Sequence, residues 1–256
     1  MDASPDGSMS GLLRPTPMLD FESPALRTLV TSRGWDRLPS HDAAAQAVYE
    51  FCRDEIAFGY NALADDMPAS AVLREGLGHC NTKSTLLMAL LRAVGIPCRI
   101  HAFTIDKRLQ RGAMTPLVYH LAPREILHAW VEAWVGGRWI TLEGQILDMD
   151  YLHAVQHRFA NGCRPFMGFA VATPDLQHPQ VQWTGGDTFI QREGIVRDLG
   201  VYDCPDEVYA EHGTNLKGVK GWLYRKYLYR RLNRHVARIR AEGRAAGTPT
   251  PPSCTA

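Results

Sequence analysis

Residues 76–100 read GLGHCNTKSTLLMALLRAVGIPCRI, and their pattern decides how the chain folds. A glycine-rich turn, Gly76-Leu77-Gly78, runs into a helix whose apolar positions Leu86, Leu87, Leu90, Leu91 and Val94 form a wide stripe, the mark of a central, largely buried helix. Gly95-Ile96-Pro97 ends that helix, and residues 98–105, CRIHAFTI, alternate and favour β-branched types as a strand does. Cys80 falls where the turn meets the helix. A thiol there faces the positive end of the helix dipole and unpaired N–H groups, and both favour thiolate over thiol. Its own N–H can donate to an oxyanion, and the two glycines are expected to let a substrate backbone come close. The alternative, from position alone, is a small buried residue at a helix start.

Downstream, residues 128–144 read HAWVEAWVGGRWITLEG, two strands over 128–135 and 138–143 around Gly136-Gly137, a hairpin signal. With the glycines as the two turn residues, Val135 pairs with Arg138, Trp130 faces Glu143, and His128 faces Gln145. Paired residues share a face, so His128 and Glu143 become diagonal neighbours roughly 7 Å apart in the backbone, a gap that a Glu side chain bridges. Glu132 shares that face and ranks second as a partner for His128; Asp148 falls on the other face if the strand continues. The roles follow. His128 takes or shares the proton of Cys80 and returns it to a leaving group, while Glu143 holds the imidazole tautomer. Taken singly, a strand histidine is structural and a strand-end glutamate is a solvated charge; neither reading explains why the three parts fit together.

These residues resemble the transglutaminase-like superfamily of papain-type cysteine enzymes. The resemblance rests on LREGLGHCNTKSTLLMALLRAVGIPCRI, on His-Ala-Trp at 128–130, on a carboxylate fifteen residues after the histidine, and on the upstream AVYEFCRDEIAFGY, so it covers about residues 40–150. It implies an α+β, papain-like fold in which a central Cys-bearing helix packs on an antiparallel β-sheet. It also implies a Cys80–His128–Glu143 triad that cleaves or transfers an amide, ester or thioester acyl group, with Glu143 standing where the family usually has Asp. It is poorly specific for substrate: peptidases, amidases, transamidating enzymes and catalytically dead members share the motifs, so a non-catalytic scaffold stays open beside the hydrolase and acyltransferase readings. Papain-type sites often place a polar oxyanion donor upstream of the cysteine. Tyr60 and Asn61 are candidates by position, and His79, Trp130 and Tyr119 are further candidates for oxyanion or substrate contact.

Outside these motifs the reading is coarser. A helix is expected over about 40–56, capped by Ser40, with Ala44, Ala47, Val48, Phe51 and Cys52 at helical spacing. A short one follows over 68–75, between Pro68 and Gly76. The insertion 106–126 joins the two site-bearing segments, so Met114, Leu117, Tyr119, His120 and Arg124 are expected to shape a pocket or lid. Residues 216–242 predict a basic helix. Within 217–240 lie nine Lys or Arg and no acid, and without them 19 basic residues face 27 acidic ones. The stripe Tyr224, Leu228, Leu232, Val236 and Ile239 is expected to dock on the acidic body, to meet an acidic partner such as a carrier protein, or to lie on an anionic membrane.

With 256 residues, 45% hydrophobic and 21% charged, the chain has globular composition. A formal net charge of +1 argues against whole-surface nucleic-acid binding. No Walker or GxGxxG loop suggests a nucleotide cofactor, and no cofactor is expected. The six cysteines lack CxxC pairs, and His153 and His157, although i, i+4, lack the glutamate of a zinc-protease helix, so no metal is expected. Trp183, Trp222 and the Gly185-Gly186 turn read as structural. No apolar run reaches the ~18 residues of a membrane span, and the N-terminus has neither the basic start nor the apolar core of a secretory signal. A cytoplasmic location with reduced thiols is expected. The organisation expected is a mobile lead-in over 1–20, a core over 21–150, an extension over 151–242 and a disordered tail over 243–256.

Overall fold

A computed structural model describes residues 9–160, 165–216, 221–222 and 224–246. Its elements run in the order α1 (Pro24–Arg33), α2 (His41–Asp54), β1 (Ala57–Phe58), α3 (Ala69–Glu75), β2 (Leu77–Gly78), α4 (Cys80–Ala93), β3 (Cys98–Asp106), α5 (Pro116–Leu121), β4 (Glu125–Val135), β5 (Arg138–Leu142), α6 (Met149–Arg158), β6 (Phe166–Gly168), β7 (Val171–Thr173), β8 (Ile195–Tyr202), α7 (Pro205–His212) and α8 (Tyr229–Ala246). The fold is α+β. Four antiparallel strands in the order β5-β4-β3-β8 form the main sheet, and α4 packs on β3 and β4.

The helix that carries Cys80 is buried along nearly its whole length, polar residues included. Its leucines meet Ala129, Val131, Ala133 and Val135 of β4 in one apolar core, together with Val48, Tyr49 and Cys52 of α2. Burial on every side suits a helix sandwiched between a sheet and other helices. Lys83 is drawn into that interior as well: its ammonium donates to the Ile56 carbonyl at 2.7 Å, where α2 has just ended. Predicted boundaries hold closely in this region. Ser40 accepts from the Ala43 N–H at 3.2 Å to cap α2, and Gly76, at φ 64°, closes α3 in the left-handed conformation that glycine adopts without strain.

The hairpin keeps the expected turn. Val135 pairs with Arg138, and the ladder continues through Glu132–Thr141 to Val131–Leu142. There it stops. Glu143 turns helical (φ −98°, ψ −30°) into a short 3-10 segment, so the expected Trp130–Glu143 and His128–Gln145 pairs do not form; His128 pairs across to Phe103 on β3 instead. At its other end β4 begins at Glu125, taking the last residues of the expected insertion into the sheet.

The boundary at residue 150 is not a structural division. β8, from the stretch expected as an extension, adds to β3 as a strand of the same sheet. The lead-in also differs from expectation over its described part. Leu12, Met18 and Leu19 are buried, the Ala69 N–H donates to the Met18 carbonyl at 2.9 Å, and Thr16 hydrogen-bonds Asp206. Apolar burial offsets the entropy of ordering this polar-looking segment. Residues 1–8 lie outside the described residues.

The basic helix is α8, preceded by a π-helical turn over Tyr224–Leu228, and it extends four residues beyond the expected end; residues 217–220, 223 and 247–256 lie outside the described residues. Leu232, Val236 and Ile239 are buried against α6 and its neighbours. Arg240 clasps Asp148 through two hydrogen bonds of 2.9 and 2.6 Å and also donates to the Phe58 carbonyl. The stripe therefore docks on the body, and the membrane reading loses the apolar face it requires. Lys226, Arg230, Arg234 and Arg238 project to solvent at a spacing of four residues. Among the described residues, no helix is long and apolar enough to cross a membrane, and no three His, Cys, Asp or Glu side chains gather to hold a metal. Cys52, Cys80, Cys98 and Cys204 are free thiols.

Candidate functional site

Cys80 occupies the first position of α4, so its N–H has no acceptor within the helix. Of the glycines ahead of it, Gly76 closes α3 in the left-handed region with open space where a Cβ would sit, and Gly78 is bound by packing. Gly78 pairs with Phe58 across the two-stranded parallel β1–β2 sheet, and a Cβ on it would come within 2.7 Å of Thr82 Oγ1 and 2.9 Å of Lys83 Cγ. A bare backbone lets α4 start hard against that sheet.

His128 and Glu143 are both completely excluded from solvent, and His128 Nε2 lies 2.9 Å from Glu143 Oε1. The other oxygen, Oε2, accepts three backbone N–H groups, from Ile190 at 2.8 Å, Gln191 at 3.0 Å and Arg192 at 3.1 Å. This nest fixes the carboxylate while leaving one oxygen for the imidazole. Sequence reasoning did not find it: backbone donors carry no residue signature, and the loop lies almost fifty positions away.

With Nε2 engaged, His128 Nδ1 is buried and has no partner in hydrogen-bond geometry, and the charge that the ring answers is the sulfur of Cys80. Burial by itself pushes the Cys80 thiol up; the His128 imidazolium, and after it His79, outweigh burial and bring the thiol down to about 6. Burial likewise disfavours charge on His128, yet the Cys80 thiolate and then Glu143 raise it to about 9. The two shifts describe one event, a proton moved from sulfur to imidazole.

His79 also adjoins the sulfur. Its Nδ1 lies 4.0 Å from Cys80 Sγ, and its Nε2 lies 3.8 Å from Asp65 Oδ1, within ion-pair reach but beyond a hydrogen bond. Asp65, which the sequence reading passed over, is buried and held by Asn81 Nδ2 at 2.8 Å and by the Asn215 N–H at 2.7 Å.

Of the remaining candidates, Tyr60 lies beside the site, its ring 6.5 Å from that of His79 and its hydroxyl pushed up by burial and then by the charge of Cys80. Both amide donors of Asn61 are spent, on Glu75 and on the Leu77 carbonyl, and the Tyr60 hydroxyl donates to Gln110 Oε1 at 3.0 Å. Neither is free to donate to an oxyanion. Trp130 stacks 4.2 Å from the Phe103 ring, itself 6.5 Å from His128, and its buried indole N–H has no partner. Tyr119 sits on α5 beneath the cations of Lys107 and Arg111, and its contacts among the described residues do not reach Cys80 or His128. Glu132 turns to Arg99 and His101, at 2.7 and 3.0 Å, and Asp148 caps α6 and binds Arg240. Both are thereby committed away from His128.

Residues 30–144 match the model of the Transglutaminase-like superfamily. Two solved structures are similar at 15% identity. One, named as a candidate cysteine protease of Cytophaga hutchinsonii, covers 80% of this chain and 50% of its own with a TM-score of 0.48; the other, red sea bream transglutaminase, covers 86% of this chain and 32% of its own with a TM-score of 0.28. The chain thus spans half the length of the first and about a third of the second. No curated protein matches the sequence.

Proposed function

Because residues 30–144 belong to the transglutaminase-like superfamily, we propose that this chain is a cysteine-dependent acyl-group enzyme acting through Cys80, His128 and Glu143. The observation that carries the reading is the buried 2.9 Å bond from His128 to a carboxylate nested by three N–H groups, with the second ring nitrogen left for the thiol.

Cys80 thiolate attacks the carbonyl carbon of an amide, ester or thioester, and the Cys80 N–H at the helix start donates to the developing oxyanion. The imidazolium of His128 gives its proton to the leaving group as the bond to carbon breaks, leaving an S-acyl enzyme. Glu143 accepts from the Nε2–H throughout, holding the tautomer that keeps Nδ1 on the sulfur side. Water then adds to the acyl carbon, the carbon–sulfur bond breaks with its electron pair on sulfur, and the proton lost by the water ends on His128, releasing the acid and restoring thiolate and imidazolium; hydrolysis is the leading reading. Acyl transfer to an amine is the second, and the exclusion of His128 and Glu143 from solvent favours it, since a dry site protects an acyl-enzyme from water. The exposed row Lys226, Arg230, Arg234 and Arg238 fits an acidic macromolecular substrate such as a carrier protein. Charge reversal at Arg230 and Arg234 is expected to weaken turnover of such a substrate and leave small esters unaffected; equal loss on both sinks that part.

The test is intact-mass trapping of a covalent adduct on Cys80 with candidate peptides and acyl thioesters, with and without a primary amine. An adduct that disappears in Cys80→Ala supports the reading. A biological role that survives Cys80→Ala with full strength turns it toward a non-catalytic scaffold.

A further inference from the structure

Two imidazoles, not one, flank the Cys80 sulfur, and each has a buried carboxylate behind it. His128 with Glu143 is sealed from solvent, whereas the His79 side chain keeps 13% of its surface and Cys80 keeps 7%. The open edge of the sulfur is therefore on the His79 side. Of the two imidazoles, His79 is thus the one nearer to an acceptor that enters from solvent.

We propose that His79, backed by Asp65, is a second catalytic imidazole at Cys80 and acts as the general base for the acceptor that cleaves the acyl-enzyme. The inference rests on the acyl-enzyme reading above and assigns its second half. In the step proposed, neutral His79 takes a proton from water or an amine as the acceptor oxygen or nitrogen bonds to the acyl carbon. The carbon–sulfur bond then breaks, the electron pair returns to sulfur as thiolate, and the proton on His79 passes through the sulfur to His128, restoring the resting pair.

Three features support this. The support of Asp65 is built: Asn81 and Asn215 hold its two oxygens, and Asn215 also grips both the N–H and the carbonyl of Leu127, the residue before His128. One residue, Asn215, thus ties the carboxylate behind His79, through its backbone N–H, to the strand residue before His128, through its side chain. The Ala64 carbonyl, presented by a left-handed turn (φ 54°) that alanine seldom adopts, adds to the pull of Asp65 on the His79 ring. The charge logic also alternates correctly. Burial disfavours protonated His79, while the hydrogen bond and charge of Cys80, together with Asp65, raise its affinity for a proton. Acylation removes the thiolate charge, so His79 becomes a readier neutral base when a base is needed.

The experiment separates acylation from deacylation with p-nitrophenyl acetate as probe. Nitrophenolate release reports acetylation, and intact mass reports loss of the acetyl group from Cys80. In His79→Gln, acetylation is expected to slow as well, because His79 helps hold the Cys80 thiol down, but deacetylation is expected to slow by about a hundredfold more, the usual scale of general-base catalysis, so that acetyl-Cys80 accumulates. Asp65→Asn, which keeps the shape, is expected to shift the same step by a smaller factor; added imidazole is expected to speed deacetylation in His79→Gly. Deacetylation at the unaltered rate in both His79→Gln and Asp65→Asn overturns the inference, as does equal slowing of both steps, which would place His79 on the thiol rather than the acceptor. If the unaltered protein shows no acetylation that depends on Cys80 and His128, the acyl-enzyme reading itself fails, and this outcome is distinct from the others.

Discussion

His128 Nε2 and Glu143 Oε1 are 2.9 Å apart although the β4–β5 ladder ends one residue before Glu143. Glu143 reaches the imidazole because the backbone leaves the strand there and hands its second oxygen to the N–H groups of Ile190, Gln191 and Arg192. Glu143→Gln replaces a charged acceptor with an amide and turns an NH2 toward donors on at least one side. Turnover is expected to fall by orders of magnitude, on the scale of a lost triad carboxylate, and stability by about 3–5 kcal/mol, as for a broken buried pair. Steady-state kinetics and urea unfolding check the two effects; near-normal turnover would remove Glu143 from the chemistry.

Cys80 is expected to be alkylated far faster than the other described thiols at neutral pH. Its thiol is brought down to about 6, whereas burial pushes Cys52 up to about 12 and Cys98 and Cys204 up to about 11. Iodoacetamide labelling read by peptide mass tests this, and His128→Ala should slow labelling at pH 7 by raising the thiol again. Uniform labelling of all the cysteines would contradict the lowered thiol.

Activity should depend on pH through two opposite limbs. The thiolate is depressed to about 6, so it is lost as pH falls through that value; the imidazolium is raised to about 9, so it is lost as pH rises through that value. A profile of kcat/KM with a plateau between them is expected, the two limbs belonging to the pair rather than to either residue. A single limb near the ordinary histidine value of about 6.5 would deny the ion pair.

Asp148 anchors α8 to β1 and to the start of α6. It accepts from the Phe58 N–H at 2.7 Å, caps Tyr151 at 3.0 Å and binds Arg240. Asp148→Ala strands a half-buried guanidinium and two backbone donors, so a loss of about 3–5 kcal/mol is expected. Denaturant unfolding measures it, and a change below about 1 kcal/mol would show the clasp to be dispensable.

Gly78→Ala tests how tightly the start of α4 is seated. Its Cβ would fall inside contact with Thr82 and Lys83, and overpacking of this kind costs about 1–3 kcal/mol. Slower alkylation of Cys80 at unchanged pH is expected to accompany the loss, because the helix start that places the thiol must move. Wild-type stability with an unchanged labelling rate would show that the seat has slack.

The sequence alone determined the parts whose causes are local. The leucine spacing over 86–91 and the Gly95-Ile96-Pro97 stop defined the central helix; Ser40 and Gly76 marked helix ends; the two glycines at 136–137 fixed the hairpin register as far as Val131–Leu142, whereas the contact between His128 and Glu143 depends on the departure of Glu143 from that ladder. Only the tertiary structure decided what depends on segments distant along the chain. Nothing in the vicinity of Asp65 signals that Asn81 and Asn215 will bury it behind His79, and nothing near Glu143 signals that backbone groups of 190–192 will cradle it. Likewise, β8 joins the sheet from a stretch without a clear strand pattern because an open edge on β3 supplies the partner. Side-chain periodicity reports which face of an element is buried; it carries no record of which remote carboxylate or amide will be waiting there, because those contacts form only when the whole chain has closed on its core.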